Sequence, residues 1–206
     1  MGSSAELPRL VLVTDRHATA GRDLVDVVAA ALDAGLPAVQ LRDKDLPGRP
    51  LLDLADRLRV LTARVGALLL VNDRIDVAVA VGADGVHLGG GSLPADVARR
   101  LLPPGALVGV STHAPTEAAS ATADFIFFGP VYATPSKAAF GPPQGVAALR
   151  QAAAAARVPV LAIGGVTAGG VPETRAAGAA GVAVIRAILA ADDPALATRG
   201  LLQALA

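Results

Sequence analysis

The sequence predicts an α/β fold: a single closed barrel of eight parallel strands ringed by helices, the (β/α)8 or TIM-barrel architecture. Three observations predict it. Short, almost wholly apolar runs recur along the chain, the form expected of strands buried on both faces. Longer Ala- and Leu-rich segments of helical character separate them. The alternation repeats eight times within 206 residues, which is on the small side for a barrel. A doubly wound open sheet is the competing architecture. It ranks second because Gly89-Gly90-Gly91 and Gly164-Gly165 do not form a Gly-x-Gly-x-x-Gly fingerprint between a strand and a helix. No linker divides the chain, so residues 1–206 are expected to form one domain with a flexible start at 1–8.

In chain order, strands are predicted at 10–14, 38–42, 67–71, 85–88, 107–111, 124–128, 158–163 and 181–185. The helices between them are predicted at 23–34, 50–65, 74–81, 94–102, 115–121, 146–157 and 168–177, with a last one from about 194. Pro94 and Pro115 suit early helical positions, where a missing N–H costs nothing. Gly35, Gly66, Gly82 and Gly178 stand where helices should stop. Pro103-Pro104-Gly105 reads as a helix-to-strand turn, and Gly141-Pro142-Pro143 lies inside the long loop after the sixth strand.

Composition narrows the function. Apolar residues make up 53% but aromatics only 2%, so the core is expected to be aliphatic. A net charge of +0 without a dense basic run argues against a nucleic-acid surface, although a few placed residues can hold a small anion. The absence of Cys excludes disulfides, thiolate chemistry and Cys-ligated metal. The start lacks the form of a signal peptide, and no run approaches a membrane span. A cytoplasmic location is expected, with no membrane partner.

In a barrel, the loops at the carboxyl ends of the strands build the active site. After the sixth strand, Gly129-Pro130-Val131-Tyr132-Ala133-Thr134-Pro135-Ser136-Lys137 offers two hydroxyls and an ammonium within four residues, which suits a phosphate. The second strand carries Gln40, Arg42 and Lys44 on one side if the extended form persists that far. Two cations and an amide match a multiply charged phosphate, whereas a structural plug would use Asp43 or Asp45 as counter-ions. The third strand ends in Asn72-Asp73-Arg74. Either of the first two could serve the next helix, by capping it or by neutralising its N-terminus. Beside a diphosphate, Asp73 is instead a natural Mg²⁺ ligand. His87 reads as a barrel histidine, while His113, on the loop after Ser111-Thr112, is the better acid–base candidate. Gly164-Gly165 and Ile185-Arg186 follow the last two strands, where barrels often hold a monophosphate.

These segments resemble the thiamine phosphate synthase family, which includes the related thiazole tautomerases. The resemblance rests on Val39-Gln40-Leu41-Arg42-Asp43-Lys44, Val71-Asn72-Asp73-Arg74, Gly82 to Gly89, Gly109-Val110-Ser111-Thr112-His113, Phe128 to Lys137 and Ala162 to Val166, and it covers nearly the whole chain. It implies a transferase of thiamine biosynthesis that joins hydroxymethylpyrimidine diphosphate to thiazole phosphate. Diphosphate is released, and the pyrimidine passes through a carbocation. Gln40, Arg42, Lys44, Asn72, Ser111 and Lys137 would then bind the pyrimidine diphosphate. Thr134, Pro135, Ser136, Gly165, Ile185 and Arg186 would line the thiazole phosphate side. Lys137, Ser111 and His113 would serve catalysis, and Asp73 would hold Mg²⁺. Barrels of this kind often form homodimers.

One segment departs from the pattern. After His87-Leu88-Gly89 the synthases usually continue with Gln, an acidic residue and Asp, whereas this chain reads Gly90-Gly91-Ser92. Ser92 therefore replaces the second expected Mg²⁺ carboxylate, a weaker metal ligand. That loss resembles the tautomerases, which isomerise a thiazole carboxylate phosphate with a His in the segment matching Ser111–His113. The retained Asp73, Arg42, Lys44 and Thr134–Lys137 run favours the synthase. A catalytically silent binder of thiamine-pathway phosphates is a third alternative, opposed by the same cationic set.

Overall fold

A computed structural model describes residues 7–134 and 142–206. Eight parallel strands close into a barrel in chain order: β1 (Leu10–Val13), β2 (Ala38–Leu41), β3 (Leu68–Asn72), β4 (Gly85–Leu88), β5 (Leu107–Thr112), β6 (Phe125–Phe128), β7 (Val160–Ile163) and β8 (Gly181–Val184). The ring shuts where Leu10, Val11 and Leu12 pair with Val182, Ala183 and Val184. Parallel neighbours require crossovers. These are supplied by α1 (Leu24–Asp33), α2 (Gly48–Val65), α3 (Ile75–Ala80), α4 (Ala95–Leu101), α5 (Pro115–Ser120), α6 (Gly145–Ala155) and α7 (Val171–Ala176), with α8 (Arg186–Leu189) and α9 (Pro194–Leu205) after the last strand. The predicted fold class is the one observed. Among the described residues, no helix is long and apolar enough to cross a membrane.

Several local expectations need correction. The strand predicted over 38–42 stops at Leu41, and Lys44 stands in an exposed bend. Alternation therefore cannot place Lys44 beside Gln40. Helix α2 opens after Pro47 rather than at Pro50, and Pro94 precedes α4 as its cap instead of entering it. Pro115 does begin α5. The segment predicted as one helix over 168–177 divides into a 3-10 turn, Ala168–Gly170, and α7. Helix α8 was not foreseen, because Ile185-Arg186-Ala187-Ile188-Leu189 continues the apolar run of β8 and shows no helical period of its own. The four helix-ending glycines all take positive φ, between 60° and 98°.

Strand alternation sorts the core into two shells. Outward residues such as Leu12, Val39, Leu41, Leu69, Val71, Val86 and Ile126 pack beneath the helices. Inward ones, Val11, Val13, Ala38, Leu70, Phe125, Phe127, Leu161 and Ala183, fill the barrel. The core is thus not wholly aliphatic. The few aromatics are concentrated on β6, and Phe125 and Phe127 are large enough to fill the centre from one side. Facing them, Gly109 leaves the required space: a Cβ there would lie 2.1 Å from Cζ of Phe125.

Two carboxylates join strands at the end of the barrel opposite the carboxyl-terminal loops. Asp84, just before β4, accepts the Leu69 N–H at 2.7 Å and pairs with Arg59 of α2 at 2.7 Å. Asp124, just before β6, repeats the arrangement with Val108 N–H at 2.7 Å and Arg99 of α4 at 3.0 Å. Each satisfies a strand-end N–H outside the main ladder and ties a helix to it.

Candidate functional site

The polar residues of the barrel interior lie near the carboxyl ends of β2 to β5. Gln40 is buried on β2, and its Nε2 donates to Asn72 Oδ1 on β3 at 3.0 Å. Asn72 Nδ2 donates in turn to Asp73 Oδ2 at 2.7 Å. The Asp73 Oδ1 accepts the Gly89 N–H at 3.2 Å and the Ser92 hydroxyl, while Ser92 Oγ accepts Gly89 N–H at 2.6 Å. A continuous chain of side chains thus runs Gln40–Asn72–Asp73–Ser92. Gln40 Oε1 is buried without a partner among the described residues. An orphaned amide oxygen at this depth calls for a donor from a ligand or a water.

Asp73 adopts φ +61°, a left-handed conformation uncommon for a non-glycine residue. Such strain concentrates at functional sites. Neither Asn72 nor Asp73 caps α3: its cap is Arg74, without a side-chain hydrogen bond. The capping alternative for Asn72 is therefore not realised. Arg74 turns away to Asp76, with Nε and Nη2 at 2.8 and 2.5 Å from its two oxygens, and this hydrogen bonding holds the Asp76 carboxyl below its usual range.

On the neighbouring strands, His87 pairs in register with Asn72, and His87 Nε2 lies 2.9 Å from Ser111 Oγ on β5. The imidazole stacks on Phe127 at a centroid distance of 4.2 Å. Burial pushes it down to about 3, only partly opposed by the Asp73 charge, so it is neutral. His87 is a barrel histidine, as expected, but one that touches a predicted site residue.

His113 is exposed beyond β5, with Nδ1 2.5 Å from the Gly129 carbonyl oxygen. A carbonyl only accepts, so Nδ1 is the donor in this contact and Nε2 is the ring nitrogen left outside it.

Arg42 is half-buried and Lys44 exposed, and neither charged group has a partner among the described residues. The counter-ions foreseen for them pair elsewhere. Asp43 binds Arg16 Nε at 2.7 Å, and Asp45 lies 3.4 Å from His17 Nε2. Arg16 and His17 sit on a 3-10 turn after β1 that no sequence period marks. The parallel pairing of β1 with β2 brings them there.

On the other side, the loop after β6 docks on the loop after β7. Val131 N–H donates to Ile163 O and Tyr132 N–H to Gly164 O, both at 2.9 Å. Gly165, at φ +68°, makes room for this: a Cβ would lie 2.7 Å from Ala133 O and 2.8 Å from Tyr132 Cβ. The close approach at this glycine is to protein backbone, a requirement the sequence did not disclose. Tyr132 Oη donates to Glu173 Oε2 at 2.7 Å, and burial together with that carboxylate pushes the phenol up to about 12. Thr134 is half-buried on this loop, Ile185 packs against the inner core, and Arg186 is exposed at the start of α8. Pro135, Ser136 and Lys137 lie outside the described residues.

A family model described as thiamine monophosphate synthase matches residues 10–188. The chain is 56% identical over 196 residues to a Geobacter sulfurreducens protein, spanning 94% of this chain and 92% of that one. It is 48% identical to the thiamine-phosphate synthase of Methanoculleus marisnigri, over 93% of this chain and 92% of that protein. Among solved structures, it superposes on thiamine phosphate pyrophosphorylase from Pyrococcus furiosus with a TM-score of 0.87 and 35% identity, covering 96% of this chain and 95% of that one.

Proposed function

Because the chain belongs to the thiamine monophosphate synthase family, we propose that it condenses hydroxymethylpyrimidine diphosphate with thiazole phosphate to thiamine monophosphate and diphosphate. The observation that carries the reading at the site is the Gln40–Asn72–Asp73 chain at the carboxyl ends of β2 and β3, with Gln40 Oε1 buried and without a partner among the described residues. The carbon–oxygen bond to diphosphate breaks first, its electron pair leaving with the diphosphate, and the thiazole nitrogen then bonds to the methylene of the pyrimidine carbocation. Stabilising that departing charge is the main demand on the protein. Arg42 and Lys44 supply fixed positive charge, Ser111 and Lys137 supply donors, and Gln40 and Asn72 orient the pyrimidine diphosphate. Thr134, Pro135, Ser136, Gly165, Ile185 and Arg186 receive the thiazole phosphate.

The donor set fits Mg²⁺, which accepts one or two protein carboxylates when phosphate oxygens complete its shell. Asp73 would hold it, with Ser92 beside it. The ion would supply charge to neutralise the leaving diphosphate. We place the enzyme in the cytoplasm as one domain of residues 1–206, acting on small phosphorylated substrates, and as a homodimer.

The test is to incubate the purified protein with both substrates and Mg²⁺ and follow diphosphate release. Thiamine monophosphate should form in step with diphosphate, and its absence would refute the proposal. The isomerase alternative draws on one feature, the exposed His113 whose Nε2 the Gly129 contact leaves outside it. Isomerisation of thiazole carboxylate phosphate without diphosphate chemistry, abolished in His113→Ala, would favour it instead.

A further inference from the structure

The Asp73–Ser92 contact bears on how the divalent cation arrives. Asp73 Oδ1 already accepts two hydrogen bonds, from Gly89 N–H and the Ser92 hydroxyl, which occupy its two lone pairs. Oδ2 accepts one, from Asn72, and keeps a single lone pair for a metal. The Ser92 hydroxyl is oriented as well: its oxygen accepts Gly89 N–H, so its proton points at Asp73. Among the described residues, no group of three or more His, Cys, Asp or Glu is placed to hold a metal ion. The protein thus offers one negative charge, with three of its four lone pairs engaged, to an ion that dehydrates reluctantly.

We infer that the free protein has little affinity for divalent cations, and that the cation enters bound to diphosphate, because position 92 carries a hydroxyl and not a second carboxylate. The diphosphate brings the charge and oxygens that a second carboxylate would otherwise provide. Arg42 and Lys44 follow β2, their charges have no partner among the described residues, and they favour the anion over the bare cation. The inference rests on the diphosphate chemistry proposed above.

The test uses Mn²⁺ as the probe, with free ion measured by electron paramagnetic resonance and inorganic diphosphate as the anion. Mn²⁺ should bind the diphosphate-loaded protein at least about a hundredfold more tightly than the protein alone, after correction for Mn²⁺–diphosphate association in solution. Ser92→Asp should strengthen binding to the diphosphate-free protein by roughly tenfold or more, since it adds a charge within contact distance of the ion. Ser92→Ala removes the hydroxyl without adding charge and should leave the diphosphate dependence in place. Equal Mn²⁺ affinity with and without diphosphate would overturn the inference while leaving the synthase reading intact, because diphosphate still binds. The same holds if Ser92→Asp has no effect or Ser92→Ala alone confers tight binding. Failure of diphosphate to bind at all, with or without Mn²⁺, would instead remove the proposed function and this inference with it.

Discussion

Ser111 Oγ lies 2.9 Å from His87 Nε2, while the opposite ring nitrogen of His87 is buried without a partner among the described residues. A residue of the predicted diphosphate set is thereby fixed from below by a neutral imidazole in the barrel interior. The contact links the site to the core. An apolar face of the ring rests on Phe127, and its polar edge reaches the hydroxyl.

That burial has a pH consequence. His87 is held at about 3 in the folded protein, against 6.5 for an unperturbed imidazole. Between those values the unfolded chain takes up a proton that the folded chain refuses, so stability falls as pH falls through the window below 6.5. Between about pH 7.5 and pH 5 the loss from this residue is about 2 kcal/mol. Urea unfolding at both pH values should show that loss in the native chain and less of it in His87→Gln. Equal pH dependence in the two proteins would contradict the assignment.

Asp73→Asn separates a metal role from a structural one. Asn tolerates positive φ, so the backbone at 73 should persist with a stability change of about 1 kcal/mol or less. Turnover should fall by roughly tenfold or more, with half-maximal rate shifted to higher Mg²⁺. Titrating activity against Mg²⁺ in both proteins checks this. An unshifted midpoint would leave Asp73 without a metal role.

Asp84→Ala and Asp124→Ala act at the other end of the barrel. Each leaves a strand-end N–H, that of Leu69 or Val108, without its acceptor. A stability loss of about 1–3 kcal/mol is expected, read as a lower denaturant midpoint. Near-native kcat/KM in the folded fraction is expected too, because neither carboxylate faces the carboxyl-terminal loops.

Tyr132→Phe removes the hydroxyl that ties the β6 loop to Glu173. The aromatic packing survives, so stability should drop by only about 1 kcal/mol. The loop that presents Thr134 loses a tether, and KM for thiazole phosphate should rise several-fold while KM for the pyrimidine diphosphate stays near native. Equal rises for both substrates would show that the latch serves the fold as a whole.

Lys137 lies outside the described residues, but its motif gives a sharp expectation. Lys137→Ala is expected to lower kcat/KM by about a hundredfold or more while the melting temperature stays near native, because the motif assigns its charge to the departing diphosphate and not to the core. An active Lys137→Ala protein would take this residue out of the site.

The strands were legible in the sequence because burial on both faces demands unbroken apolar runs, and the run Phe125–Phe128 could hardly be anything else. Eight such runs separated by helices determined the barrel, and the barrel rule directed attention to Asn72, Asp73, Ser111 and Gly165. Side-chain partners were a different matter. Nothing in the order of residues says that Asp43 binds Arg16 across 27 positions, that Ser92 closes on Asp73, or that Tyr132 meets Glu173. Strand length escaped as well: β2 stops at Leu41, which took Lys44 off the strand face that alternation had assigned it. The reason is physical. Hydrophobic periodicity is a property of neighbours along the chain and survives as sequence pattern, whereas hydrogen bonds between loops depend on which strand ends the closed sheet brings side by side. The sequence determined the architecture and the residue types of the site. Only the tertiary structure decided which of them touch, which charges stay unpaired, and that Asp73 meets a hydroxyl from Ser92.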